Sequence, residues 1–174
     1  MDLCLENEAQ LIEKARSDPN AFIALYEYYL PHLYRYSYYR TKDKQQAEDV
    51  VSQTFLNAME NISGFKQKGI PFGHWLYRIA GNIIYHGYKR TAREISLPEH
   101  GHSADIDIAP EQMDLLRFLH ELPQAQQQVL TLRYIQDLSI RDVARVMNRS
   151  EGAVKQLALR GLRALRERMD DHER

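Results

Sequence analysis

Ser139-Ile140-Arg141-Asp142-Val143-Ala144-Arg145-Val146-Met147-Asn148-Arg149-Ser150-Glu151-Gly152-Ala153-Val154-Lys155-Gln156-Leu157-Ala158-Leu159-Arg160-Gly161-Leu162 is the stretch on which the fold turns. Ser139, with Asp142 three residues on, is a helix-start signature, and Ile140, Val143, Ala144 and Met147 then recur at i, i+3, i+4 and i+7. After Asn148 and Arg149, Ser150 is placed to cap a second helix, whose buried stripe is Val154, Leu157, Ala158, Gly161, Leu162 and Leu165. Two amphipathic helices joined by a tight turn make a helix-turn-helix, in which the second helix offers its first outward residues to the major groove. Lys155, Gln156, Leu159 and Arg160 lie off the stripe. Lysine and arginine donate to guanine O6 and N7, glutamine pairs with adenine, and leucine contacts a thymine methyl. Arg141, Arg149 and Arg163 are placed to hold phosphates instead. On the residues alone, an ordinary helical hairpin with a charged exterior remains the alternative.

The charge around this stretch fits a polyanion. Positions 139 to 168 carry eight basic residues against Asp142, Glu151 and Glu167, a local +5 in a chain whose formal net charge is -1. A solvated basic face would have the same count. The compensating charge is concentrated in residues 91 to 114, which hold one basic and six acidic residues, while residues 1 to 90 are near balance with eleven against ten.

Outward from the stretch, apolar spacing follows the helical period throughout, and no run alternates as a strand does, so the chain is predicted to be all-α. Helices are expected over 6–16, from Pro19 to Arg40 with an interruption near Pro31, over 43–60 and over 71–93, with a loop from Ser63 to Gly69. Residues 94–110 combine Ser, Pro, Gly, His and acidic groups without an apolar stripe, and read as a flexible acidic linker. Four short helices follow, near 111–120, 123–135, 139–147 and 150–169. Two small helical domains, 1–93 and 111–174, flank the linker 94–110.

Within the first domain, the helix from Asp43 turns Ala47, Val50, Val51, Phe55, Ala58 and Met59 inward, and Asp49, Gln53, Leu56 and Glu60 share the outward face. A single exposed leucine is ordinary, but one set among acidic and amide groups also suits a partner-binding face. The loop carries Phe65, Lys66, Lys68 and Phe72, aromatics that can take an unstacked base beside cations that can hold a backbone. Trp75, next to Leu76 and near Ile79, reads as core more readily than as a platform. Seven of the eleven tyrosines fall between Tyr26 and Tyr39, a cluster expected to pack a helical hairpin with its hydroxyls reaching water.

Composition excludes several classes. With 174 residues, 44% hydrophobic and 27% charged, the chain is an average soluble globular protein of one or two small domains. Cys4 is the one cysteine, so neither an internal disulfide nor a cysteine zinc site is possible, and a reducing cytoplasm is the expected compartment. Asp2, Glu6 and Glu8 stand where a signal peptide would be basic and then apolar, so neither secretion nor membrane insertion is expected. His100 and His102 lie in the linker without further ligands, and no Gly-rich phosphate loop or nucleophile signature occurs, so no metal, cofactor or catalytic residue is expected.

The run Leu122-Pro123-Gln124 through Val129-Leu130-Thr131-Leu132-Arg133-Tyr134, with Leu138-Ser139, Val143-Ala144, Val154-Lys155 and Arg160-Gly161-Leu162, resembles region 4 of the sigma-70 family. Ala47-Glu48-Asp49-Val50-Val51-Ser52-Gln53-Thr54-Phe55 is similar to region 2.2, and Trp75-Leu76-Tyr77-Arg78-Ile79-Ala80 with Asn82, Lys89 and Arg90 to regions 2.3 and 2.4. The resemblance is to the small group-4, or extracytoplasmic-function, members. It implies an alternative sigma factor that leaves catalysis to core RNA polymerase. Lys155, Gln156, Leu159 and Arg160 would read the promoter -35 element. Arg78, Asn82, Lys89 and Arg90, with the loop residues, would engage and open the -10 element. Asp49, Gln53, Leu56 and Glu60 would meet the clamp helices of the largest polymerase subunit, and an anti-sigma factor is a further candidate partner. A free-standing helix-turn-helix regulator with an N-terminal sensing or interaction domain is the alternative function.

Overall fold

The computed structural model describes residues 7–66, 70–93 and 110–172. Eight α-helices carry them: α1 Glu8–Ala15, α2 Pro19–Thr41, α3 Lys44–Asn61, α4 Phe72–Arg93, α5 Pro110–His120, α6 Gln124–Leu130, α7 Ile140–Met147 and α8 Glu151–His172. Among the described residues there is no strand, as the periodicity predicts. Cys4, Lys68 and the linker stretch 94–109 lie outside the described residues.

Local chemistry sets the helix starts. Asp18 accepts from the Asn20 amide at 2.9 Å with Pro19 at the first helical position, and Asp43 accepts from the Gln46 amide at 2.8 Å. Between them α2 runs unbroken, which corrects the interruption expected at Pro31. Pro31 is exposed, so its ring faces water, and the missing N–H forfeits only the bond to the Glu27 carbonyl one turn back.

The first four helices form one packed unit. Phe22, Leu25, Tyr29, Leu33 and Tyr36, spaced by three or four residues, make the inner stripe of α2 and bury against Val51, Phe55 and Ala58 of α3 and Phe72, Leu76 and Ala80 of α4. Each buried Val, Leu or Phe among them contributes about 1.5–3 kcal/mol on leaving water. The tyrosines do not all reach water as expected: Tyr29 and Tyr36 are enclosed, and Tyr29 donates its hydroxyl to the buried Glu8 carboxylate, which ties α1 to α2. Met59, expected inside, is exposed at the edge of the α3 stripe.

In the second unit α8 crosses α6, and their approach depends on Gly161, where a Cβ would lie 2.9 Å from Leu130 Cδ1. Leu162, placed on the buried stripe by its spacing, is exposed. Gln127, itself buried, donates to the carbonyls of His120 and Leu122 at 3.0 and 2.7 Å and closes the α5–α6 turn. Past α6 the chain widens into a π-helical turn, Thr131–Ile135, in which the Gln136 amide reaches back to the Thr131 carbonyl.

The two units pack against each other through α4 with α7 and α2 with the π turn. The seam is rich in hydrogen bonds: Tyr77 Oη to Gln136 Oε1 at 2.9 Å, Arg40 Nη2 to Gln124 Oε1 at 2.7 Å, and Arg78 Nη2 to the Arg145 carbonyl at 2.5 Å. Gly81 is the close-approach point, since a Cβ there would stand 2.6 Å from Gln128 Nε2.

Candidate nucleic-acid interface

The helix-turn-helix forms as its spacing demands. Ser139 Oγ accepts from the Asp142 amide at 3.1 Å and donates to the Asp142 carboxylate at 2.5 Å. Asn148 turns left-handed at φ 51°, which returns its amide and that of Arg149 to carbonyls at the end of α7. Ser150 Oγ then accepts from the Ala153 amide at 3.2 Å and starts α8. Val143, Ala144, Val154 and Ala158 hold the two helices to the core.

That packing leaves one contiguous outer face on α8. Lys155, Gln156, Leu159 and Arg160 are all exposed on its first turns, and Arg149 on the turn, Arg141 on α7 and Arg163 further along α8 are exposed around them. Two lysine or arginine donors, an amide and an apolar side chain on one helix face are the groups that base edges in a major groove accept. Cations on the flanks match the spread of phosphates.

The residues expected on opened DNA divide. Lys66 and Asn82 are exposed, and Lys89 and Arg90 lie on α4 with side chains outside the described set, as Lys68 is altogether. Phe72 has no exposed surface: it packs on Phe22, Tyr29, Phe65 and Trp75 with ring centroids 5.5 to 6.4 Å apart. Phe65 is buried too and stacks on Trp75 at 4.6 Å, with its carbonyl accepting from Arg16 Nη2 at 2.9 Å. The expectation that both phenylalanines offer open faces to bases is therefore corrected. Phe65 and Phe72 close the end of the bundle, where apolar burial outweighs display. Trp75 is half-buried, and beside it lies an open pocket of about 340 Å³ lined by Asn61, Gly64, Phe65, Lys66, Ile70 and Trp75.

Arg78 is also differently employed. Its guanidinium donates to the Arg145 and Val146 carbonyls at 2.5 and 3.4 Å, capping the C-terminal end of α7, where the helix dipole favours a cation. Next to it His74 is buried, with Nδ1 3.8 Å from Asp142 Oδ1. Burial pushes the imidazole below its ordinary value, the Asp142 carboxylate pulls the other way, and Arg145 adds to the lowering.

On α3, Asp49, Gln53, Leu56 and Glu60 share an exposed face, with Leu56 54% exposed. Met59 joins it, a residue that sequence reasoning placed inside although its i, i+3 spacing from Leu56 could have flagged it. Ile23 and Tyr26 of α2 are further exposed apolar side chains, the Tyr26 ring lying 4.6 Å from that of Phe55. Among the described residues no cluster of His, Cys, Asp and Glu could hold a metal ion, and no helix is long and apolar enough to cross a membrane.

Residues 25–94 match the family description Sigma-70 region 2, and residues 112–165 match Sigma-70, region 4. The chain is 36% identical over 176 residues to the ECF RNA polymerase sigma factor BldN of Streptomyces coelicolor, covering 95% of this chain and 67% of that one. It is 29% identical over 164 residues to the ECF RNA polymerase sigma factor SigX of Bacillus subtilis, covering 86% and 84%. Its fold resembles that of CnrH in complex with the cytosolic domain of CnrY, with TM-score 0.73 at 24% identity over 92% of this chain and 96% of that one. The sigma factor RpoE in complex with the anti-sigma factor NepR from Bartonella quintana gives the same TM-score at 22% identity, covering 86% and 96%.

Proposed function

The chain belongs to the sigma-70 family as an extracytoplasmic-function sigma factor, a transcription initiation factor and not an enzyme, and from that membership we propose how its surfaces divide the work. Residues 1–93 serve as region 2, residues 94–110 as the linker, and residues 111–174 as region 4. Lys155, Gln156, Leu159 and Arg160 read the -35 element while Arg141, Arg149 and Arg163 hold its backbone. The observation that carries this is the exposed face of α8, set on a capped turn with its opposite stripe buried.

On the -10 side, the pocket beside Trp75 receives an unstacked base, with Lys66, Asn82, Lys89 and Arg90 on the strand. Phe65 contributes to the wall of that pocket, and Phe72 supports it from behind. Arg78 joins the strand contacts once its bonds to the α7 carbonyls are released. The face of Asp49, Gln53, Leu56 and Glu60, extended by Met59, docks on core RNA polymerase. An anti-sigma factor is a further partner, by likeness to a sigma factor of similar fold solved with one, and the working compartment is the cytoplasm.

Adding the purified chain to core RNA polymerase and sequencing the transcripts made from genomic DNA tests the whole reading. Transcripts sharing two motifs upstream of their starts are expected. No stimulation of promoter-specific initiation by a properly folded chain would refute it.

A further inference from the structure

A cavity of about 160 Å³ lies where the two units meet, and three arginines line it: Arg40 of α2, Arg78 of α4 and Arg149 of the turn before α8. Asn82, Tyr85, Gln124 and Gln128 complete its polar wall. Among the described residues no aspartate or glutamate lines it, and none of the three guanidiniums has a carboxylate within 4 Å.

Arg40 is the telling member. It is 1% exposed, donates to the Tyr36 hydroxyl and to Gln124 Oε1 at 3.1 and 2.7 Å, and leaves its Nε–H without a partner. A buried guanidinium is ordinarily paired with an anion, because neutral acceptors offset only part of its lost hydration. The Gln124 and Gln128 amides, which hydrogen-bond the Tyr88 and Tyr36 hydroxyls, turn toward an anion when one binds, and the Asn82 amide is a further donor. The size suits a tetrahedral oxyanion with a few waters, given roughly 30 Å³ per water.

The geometry points to a site for a phosphate dianion, free or as a terminal phosphomonoester, bound between the two units of the chain. Arginine forks match phosphate oxygens bidentately, and donors converge here from α2, α4, α6 and the α7–α8 turn. Occupancy ties the units together across the seam. It also engages Arg78, Asn82 and Arg149, three side chains assigned above to nucleic acid. A bound phosphate thus holds the chain in its closed form and competes with promoter binding.

The test is thermal melting and calorimetry of the full chain in inorganic phosphate against chloride at matched ionic strength. A saturable rise in melting temperature specific to phosphate is expected, as for any ligand that binds only the folded chain. Arg149→Ala, at an exposed position, should weaken phosphate binding at least tenfold. Arg40→Gln should do the same if it folds. Ala125→Glu, which puts a carboxylate into the cavity wall, should raise the melting temperature in chloride and abolish the response to phosphate. Glycerol 3-phosphate distinguishes the sources: binding of both probes assigns a phosphomonoester, and binding of inorganic phosphate alone assigns the free ion. Equal melting in phosphate and chloride, or a full response retained by Arg149→Ala and Ala125→Glu, overturns the site.

Discussion

Tyr77 of α4 and Gln136 beyond the π turn meet in a buried hydrogen bond, hydroxyl to amide oxygen at 2.9 Å, between residues 59 positions apart in the chain. This bond joins the two units where neither side chain reaches water, and the Gln136 Nε2 has no partner among the described residues. Burial raises the Tyr77 phenol far above its ordinary range, so it remains a donor at any working pH. Tyr77→Phe should therefore destabilise the folded chain by about 1–3 kcal/mol, because it strands a buried acceptor. Urea denaturation measures this, and an unchanged midpoint would mean that the seam is already open in solution.

His74 makes that seam sensitive to acid. Its imidazole is held below the ordinary value of about 6.5 by burial, so the unfolded chain takes up the proton first. The stability it contributes is complete above about pH 6.5 and is lost as pH falls through the folded value. Melting from about pH 8 to about pH 5 should show the chain weakening on the acid side, with a shallower slope in His74→Gln. Parallel slopes for the two proteins would assign the acid sensitivity to other groups.

Phe72→Ala should unfold or nearly unfold the chain, at about 3–5 kcal/mol, since the ring is wholly enclosed by four other aromatics. Loss of the cooperative melting transition is the readout. A mutant that melts normally would show the ring to be displayed after all.

Lys155→Ala or Arg160→Ala should weaken -35 recognition by about 1–3 kcal/mol where the lost contact is bidentate, and relax preference at one base position without changing the melting temperature. Holoenzyme footprints on promoters varied at each position check this. Equal loss on all sequences would reassign the side chain to a phosphate.

Leu56→Asp should abolish capture by core polymerase while leaving the free chain's melting untouched, because Leu56 is already exposed. In the docked state the new carboxylate would lie desolvated near Asp49 and Glu60, at a cost of several kcal/mol. Full retention on immobilised core enzyme would remove this face from the interface.

The all-α class, the helix-turn-helix and the outward faces of α3 and α8 were legible in the sequence because each depends on local rules: a cap, a turn residue, a 3.6-residue period. The closing of Phe65 and Phe72 into the core was not, since a Gly-flanked aromatic loop looks alike whether it displays or buries its rings. The seam was hidden for a different reason. Arg40, Arg78, Gln124 and Gln136 are residue types that ordinarily mark a solvated surface, and only the arrangement of two units in space turns them inward. Pro31 misled in the opposite sense, as a breaker whose exposed position let α2 continue.

The composition of that seam also has a calorimetric consequence. Wetting amides and guanidiniums lowers heat capacity, whereas wetting aliphatic and ring carbon raises it. Parting of the two units, with each bundle intact, should thus change the heat capacity little, and the separation is nearly athermal in its curvature. The enthalpy of parting is then nearly constant with temperature, and at any one temperature protons and bound anions shift the balance between closed and parted forms.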